Sequence, residues 1–338
     1  MLFYFVQKVD TKRVIYIPQG GINSIITYLD KKSYQVNGID NIILRFLGKP
    51  QSGYIDLKSK SMSKLDFLYK LTVSKAAMQS ITLIPGETYY FFLQDLAQQL
   101  QVSQQKVFQY YAAYAFKKDG NILADTYSLP IGMDEKELIL HLLEQTDKRY
   151  ETLSKKIFGI YEKNNWYRYI TIASVIQKEA ANHDEMPLVS SVIYNRLRKG
   201  MPLQMDGTLN YSLYSHTKVT KQMIQEDKSD YNTYLHKKLP SNPICAVELE
   251  SIKSAIFPVQ SDYLYFIKNQ DGTGHNFSDN YNQHKKNIAQ LSQQPKPSSV
   301  KKRNTTEKHD QKTPPPKRVQ IAPKRYKIEQ NDLKSLWN

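Results

Sequence analysis

The chain has 338 residues, 47 Lys and Arg against 32 Asp and Glu, and a formal charge of +15, a length that leaves room for two or three domains with ample cores. One cysteine, Cys245, excludes a disulfide framework and any cysteine-cluster metal site, and its expected state is a small buried hydrophobe. There is no phosphate-cradling Gly-rich Lys loop, no Gly-x-Ser-x-Gly elbow and no His-Glu-x-x-His pair, and the seven His are scattered. Nucleotide, serine-hydrolase and zinc chemistry therefore have no support, and neither cofactor nor metal is expected.

The opening run MLFYFV is apolar, but Gln7, Lys8, Asp10, Lys12 and Arg13 follow at once. It falls short of the roughly 20 apolar residues of a membrane span and lacks a complete secretory signal; it reads as a first β-strand or as the remnant of an anchor. From Val14 to Leu143 the pattern is α+β with an internal echo. Val14 to Ile17 reads as a strand and turn before a helix marked by Ile22, Ile25, Ile26 and Leu29. Thr82-Leu83-Ile84, Pro85-Gly86 and a helix through Phe92, Leu93, Leu96 and Leu100 repeat that order. Gly53-Tyr54 ahead of Leu65, Leu68 and Leu71 is answered by Asp125 to Tyr127 ahead of Leu138, Ile139 and Leu142. A polar helix is expected over Arg149–Tyr169, its inner face marked by Tyr150, Leu153, Ile157 and Tyr161.

The stretch from Thr171 to Tyr211 is the most informative. Ile172, Val175, Ile176 and Glu179 fall at i, i+3, i+4 and i+7, which places one carboxylate on an apolar helical stripe. Desolvation there raises a carboxyl pKa, and a carboxyl that stays protonated near neutral pH is a general acid; the plainer alternative is a glutamate at the edge of the stripe, paired to a Lys or reaching solvent. A short connection leads to a second helix introduced by Asp184 and Pro187 and ended by Gly200, so a helical hairpin is expected. The chain then runs extended through Leu203, Gln204 and Asp206 to Thr208, Asn210 and Tyr211. After a polar span, Lys218 to Asp230, Tyr263 to Ile267 is the clearest strand, with Asp271-Gly272 as turn and Thr273 to Phe277 as partner, returning His275 toward the core. From Pro295 to Asn338 there are twelve Lys/Arg against four Asp/Glu together with six Pro, which predicts a disordered tail. Leu333, Leu336 and Trp337 would be a terminal docking motif.

These motifs resemble one family. Ala173 to Ile176 with Lys178-Glu179, Val192 to Leu197, Gly200-Met201, Leu203-Gln204 and Asp206, then Tyr231 to Tyr234, Leu239-Pro240, Tyr263 to Phe266 and Gly274-His275 with Phe277 are similar, in order, to the YceG-like endolytic murein transglycosylases. Gln177 stands where the family is often acidic, and Gly207, which has no ring to stiffen the loop, where it usually has Pro. The resemblance implies an α+β protein: residues 1–145 a LysM-like, glycan-binding region, 146–291 a catalytic domain, and 292–338 the tail. It implies that Glu179 is the catalytic acid, and that Asn195, Gln204, Asp206, Thr208, Asn210, Tyr211 and His275 bind substrate or support the site. Asn195-Arg196 reads equally as an internal pair fixing the hairpin.

The activity implied is non-hydrolytic cleavage of glycan strands, with peptidoglycan as substrate, peptidoglycan synthases as partners, membrane association, and the periplasmic face of the inner membrane as location. A noncatalytic peptidoglycan-binding scaffold is the alternative. A nucleic-acid partner rests on charge and tail alone, and none is expected.

Overall fold

A computed structural model describes residues 2–292 of the chain; the basic, Pro-rich run and its Leu-Trp terminus lie outside the described residues. The fold is α+β, built from helices and two-stranded antiparallel sheets. In chain order the first elements are α1 (Leu2–Phe5), β1 (Lys8–Asp10), β2 (Val14–Ile17), α2 (Ile22–Lys31), α3 (Gly38–Leu47), β3 (Gly53–Asp56), β4 (Ser61–Ser63) and α4 (Lys64–Val73). They are followed by β5 (Met78–Thr82), α5 (Tyr89–Leu100), α6 (Gln104–Tyr114), β6 (Thr126–Pro130) and α7 (Glu135–Phe158).

The echo in the sequence is a repeated module of strand, two helices, antiparallel strand and closing helix. β2 pairs with β3, Ile15 opposite Ile55, and β5 pairs with β6, Ile81 opposite Tyr127. Each module buries its own core. Ile17, Ile25, Leu29, Leu44, Phe67 and Leu71 fill the first, and Leu93, Leu96, Val107, Leu129, Leu138 and Leu142 the second. The second strand comes earlier than Thr82-Leu83-Ile84 suggests, because the ladder to β6 runs from Met78 and ends at Thr82.

The opening run does not form a strand. α1 is one helical turn whose Tyr4 hydroxyl donates to Asp40 Oδ1 at 2.8 Å, and among the described residues no helix is long and apolar enough to cross a membrane. The expected helix over Arg149–Tyr169 is two helices. α7 stops at Gly159, left-handed at φ 79°, whose amide closes on the Lys155 carbonyl at 2.9 Å; this is the usual glycine stop after a basic last turn. α8 (Lys163–Glu179) then begins afresh.

By internal contacts the described residues divide into two units: 2–167 with Asn210–Thr217 and Asn242–Glu248, and Arg168–Leu209 with Lys218–Ser241 and 249–292. The second unit holds most of α8, then α9 (Met186–Arg198), α10 (Lys221–Glu226), α11 (Leu249–Ile256), β7 (Tyr265–Lys268), β8 (His275–Ser278) and α12 (Tyr281–Ser292). α8 and α9, joined by residues 180–185, are the helices of the expected hairpin, with Pro187 in the first turn of α9. Ile172, Val175 and Ile176 of α8 and Val189, Val192 and Ile193 of α9 are fully buried. The strand hairpin pairs Phe266 with Phe277 and Lys268 with His275. Cys245 is buried.

The first module also hides an ion pair. Lys64 Nζ lies 3.2 Å from Asp40 Oδ2 with both side chains nearly inaccessible, and Asp40 additionally accepts the Asn37 amide at 2.8 Å. Removing one member strands the other's charge in the core. Lys64→Met should therefore destabilise the first module by about 3 kcal/mol, read as faster hydrogen exchange at the Leu29 and Leu68 amides while those of α8 keep their protection.

Candidate active site

Five stretches of the second unit converge on an open cavity of about 240 Å³. The C-terminal end of α8 contributes Glu179, α9 contributes Arg196, and the extended run after α9 contributes Leu203, Gln204 and Asp206; the hairpin adds Phe266, Lys268 and His275, and Tyr234 closes the set. The 3.6-residue period that buries Ile172, Val175 and Ile176 brings Glu179 to this wall.

Glu179 is half-buried by surface area, opening onto the cavity, yet protein packs densely around its carboxyl. Burial is the largest influence and pushes its pKa up to about 7. The Gly207 amide, donating to Oε1 at 2.8 Å, pulls the other way; the nearby Asp206 charge adds to the rise and Arg196 opposes it. The acid expected from the sequence is thus neutral over most of the range below pH 7.

Arg196 and Asp206, the two charges that act on it, both hold hydrogen bonds to other groups. Arg196 donates from Nε to the Leu264 carbonyl at 2.6 Å and from Nη1 to the Leu203 and Pro202 carbonyls at 2.6 and 3.3 Å. It therefore ties the extended run to the start of the hairpin, and burial lowers its pKa. Asp206 Oδ1 accepts the Tyr234 hydroxyl at 2.5 Å, and burial together with this bond raises the phenol's pKa. Gln204 has a left-handed backbone, φ 50°, and its amide donates to the Thr233 carbonyl at 3.1 Å. A non-glycine residue in that region is strained, a feature concentrated at functional sites.

His275 is held by a residue that sequence reading did not single out. Glu185, just ahead of α9, accepts the His275 amide at 2.5 Å through Oε1 and faces Nδ1 at 2.8 Å through Oε2. Nδ1 paired to a carboxylate carries the hydrogen, which leaves Nε2 for the cavity. Gly274 permits this approach, because a Cβ there would stand 2.5 Å from Glu185 Oε1.

Of the residues expected to bind substrate, Gln204, Asp206 and His275 share the cavity wall with Glu179. Asn195 does not line it: its Nδ2 donates to the Ser261 and Tyr263 carbonyls at 2.8 and 2.9 Å and so pins the chain leading into β7. Thr208 is fully buried and bonds the Met205 carbonyl at 2.7 Å and Thr233 Oγ1 at 3.0 Å. Asn210 and Tyr211 belong to the other unit. There Asn210 Nδ2 donates to the Tyr214 and Thr217 carbonyls, and Tyr211 packs edge-on against Tyr214 at 5.4 Å. Tyr234, Lys268 and Phe266 were quoted or passed over in the sequence without a role; Tyr234 lies in the Tyr-Asn-Thr-Tyr motif, the signal that could have found it.

The chain is also similar to known proteins. The chain is 33% identical over 137 residues to the endolytic murein transglycosylase of Bacillus subtilis (strain 168), which covers 40% of this chain and 38% of that protein. It is 29% identical over 187 residues to that of Streptococcus pneumoniae serotype 2 (strain D39 / NCTC 7466), 52% of this chain and 32% of that protein. The matches thus span less than two fifths of either relative's length. A crystal structure of a putative YceG-like protein from Listeria monocytogenes shares the fold, with a TM-score of 0.52 and 24% identity over 83% of this chain and 99% of that one. The model of the YceG-like family matches residues 15–290, and the chain belongs to that family.

Proposed function

We propose that this chain is an endolytic lytic transglycosylase of peptidoglycan, cutting the β-1,4 bond between N-acetylmuramic acid and N-acetylglucosamine and leaving 1,6-anhydro ends. The observation that carries the reading is a single carboxyl, Glu179, kept protonated to about pH 7 on the wall of an open cavity. The names of the relatives from Bacillus subtilis and Streptococcus pneumoniae support it.

The chemistry needs one such group. Protonated Glu179 donates to the bridging oxygen as positive charge builds on the anomeric carbon. The resulting carboxylate takes the proton of the muramic C6 hydroxyl, whose oxygen closes on the same carbon; a nucleophile carried on the same sugar competes well against water. Hydrolases instead employ a second carboxylate as nucleophile or base. Asp206 is the neighbouring candidate, and its bond from Tyr234 favours a role in holding the loop.

Further parts of the reading are proposals of the same kind. The repeated modules before residue 145 bind glycan, the enzyme works beside peptidoglycan synthases on nascent strands, and it acts at the outer face of the cell membrane.

Glu179→Gln keeps the size and the oxygen that accepts the Gly207 amide but has no proton to give. Release of anhydro-ended fragments from purified glycan strands, followed by mass spectrometry, should fall by about 10³-fold or more; undiminished release would remove Glu179 from the mechanism. The same variant reports on stability. The folded pKa of about 7 lies above the ordinary value of 4.5, so the neutral acid's contribution is full below about pH 4.5 and is lost as pH rises through 7. Glu179→Gln should match the parent at pH 4 and exceed it at pH 8 by about 2 kcal/mol, a figure discounted for partial exposure, in urea unfolding.

A further inference from the structure

The loop facing Glu179 meets the carboxyl with a backbone amide, and the glycine that carries it is required by space. Gly207 lies in the short 3-10 turn Asp206–Leu209, and its backbone is not left-handed, so conformational freedom is not the reason for it. A Cβ at this position would stand 2.6 Å from Cβ of Lys178 and 2.8 Å from Oε1 of Glu179, closer than non-bonded atoms pack. Any side chain would push the turn off α8 and stretch the 2.8 Å bond from the Gly207 amide.

The turn is also braced on both sides of that glycine. Ahead of it, Asp206 accepts the Tyr234 hydroxyl. Behind it, the fully buried Thr208 and Thr233 hydroxyls meet at 3.0 Å. Thr233 Oγ1 accepts the Met205 amide at 3.1 Å, and the Thr233 carbonyl accepts the Gln204 amide at 3.1 Å. Two consecutive residues of the 231–234 loop thus grip the turn and fix where its amide points.

We propose that Gly207 is a positioning residue of the site: its amide, held by the Thr208–Thr233 pair, occupies Oε1 of Glu179 and makes Oε2 the oxygen that carries the proton. A carboxyl oxygen that accepts an N–H does not also present a hydrogen toward it, so the acidic hydrogen resides on the other oxygen. This rests on the transglycosylase reading. Oε2–H gives its proton to the bridging oxygen as the bond to the anomeric carbon breaks. Oε2 then recovers a proton from the C6 hydroxyl as that oxygen bonds to the same carbon, so the carboxyl ends as it began. Throughout, Oε1 stays on the amide and the side chain does not rotate.

The amide has a second effect. It stabilises the carboxylate, against burial and the Asp206 charge and in the same direction as Arg196; Tyr234, Lys268 and His275 also face the cavity. It therefore keeps the acid from becoming too weak to give its proton to the bridging oxygen.

The test uses the full chain, the Gly207→Ala and Thr233→Val variants, and two readouts: the pH dependence of anhydro-product formation from glycan strands, and the ¹³C titration of the glutamate γ-carboxyls, assigned by loss of the Glu179 signal in Glu179→Gln. In Gly207→Ala the Glu179 titration should move up by about one unit, with the alkaline limb of the rate following it. kcat at pH 6 should fall by about ten- to a hundredfold while KM stays within about twofold. Thr233→Val should move both in the same direction by less, and it keeps the test open should the alanine variant fail to fold. Titration and alkaline limb both unchanged in a folded variant would overturn the proposal. A parent protein that forms no anhydro ends, with the titration still moving, would sink the transglycosylase reading and leave the placement of Oε1 supported.

Discussion

Holding a carboxyl out of water costs free energy that falls almost entirely on its charged form, and the second unit is arranged around that cost. The stripe of α8 that buries Ile172, Val175 and Ile176 also carries Glu179 to the cavity wall. Arg196, the nearby cation, spends its donors on three backbone carbonyls, so it braces the extended run and the start of the hairpin without forming an ion pair that would ionise the acid. Asp206 is bound by a phenol. The result is a carboxyl whose protonation is set by packing and tuned by a backbone amide, with Arg196 and Asp206 bonded to other groups.

Much of this was legible because it is periodic. The spacing of Ile172, Val175, Ile176 and Glu179 gave the helix and its buried face, and the aromatic and aliphatic run Tyr263 to Ile267 before Asp271-Gly272 gave the hairpin and the return of His275, though β7 begins at Tyr265. The duplicated order of strand and helix before residue 143 was visible for the same reason. What escaped is long-range or carried by the backbone. Glu185 and His275 stand ninety positions apart, Thr208 and Thr233 twenty-five, and one sequence contains nothing that couples them. Asn195 and Arg196 are equally polar neighbours, and only the 100° step between them on α9 sends one to the chain before β7 and the other to the cavity.

Gly207 is the sharpest instance. In the sequence it read as the loss of a stiffening ring; in the structure the same residue supplies the N–H that a ring would delete, and the smallness that lets it reach Glu179. The break between α7 and α8 belongs to a different class: Gly159 after Lys155 and Lys156 is a local stop signal, passed over because the apolar spacing on its two sides happened to stay in phase.

The sheets have a consequence for behaviour in concentrated solution. Among the described residues each strand belongs to a two-stranded ladder, so no strand has strand neighbours on both sides, and on the outer side of β3 the Tyr54 carbonyl already accepts the Ala76 amide at 3.0 Å. The strands' brevity, three to five residues each, limits any addition of a foreign peptide backbone to a few hydrogen bonds at a time, too few to hold a second chain against the entropy of ordering it. Split into four small ladders, the β structure of the described residues presents no long open sheet edge of the kind that invites association.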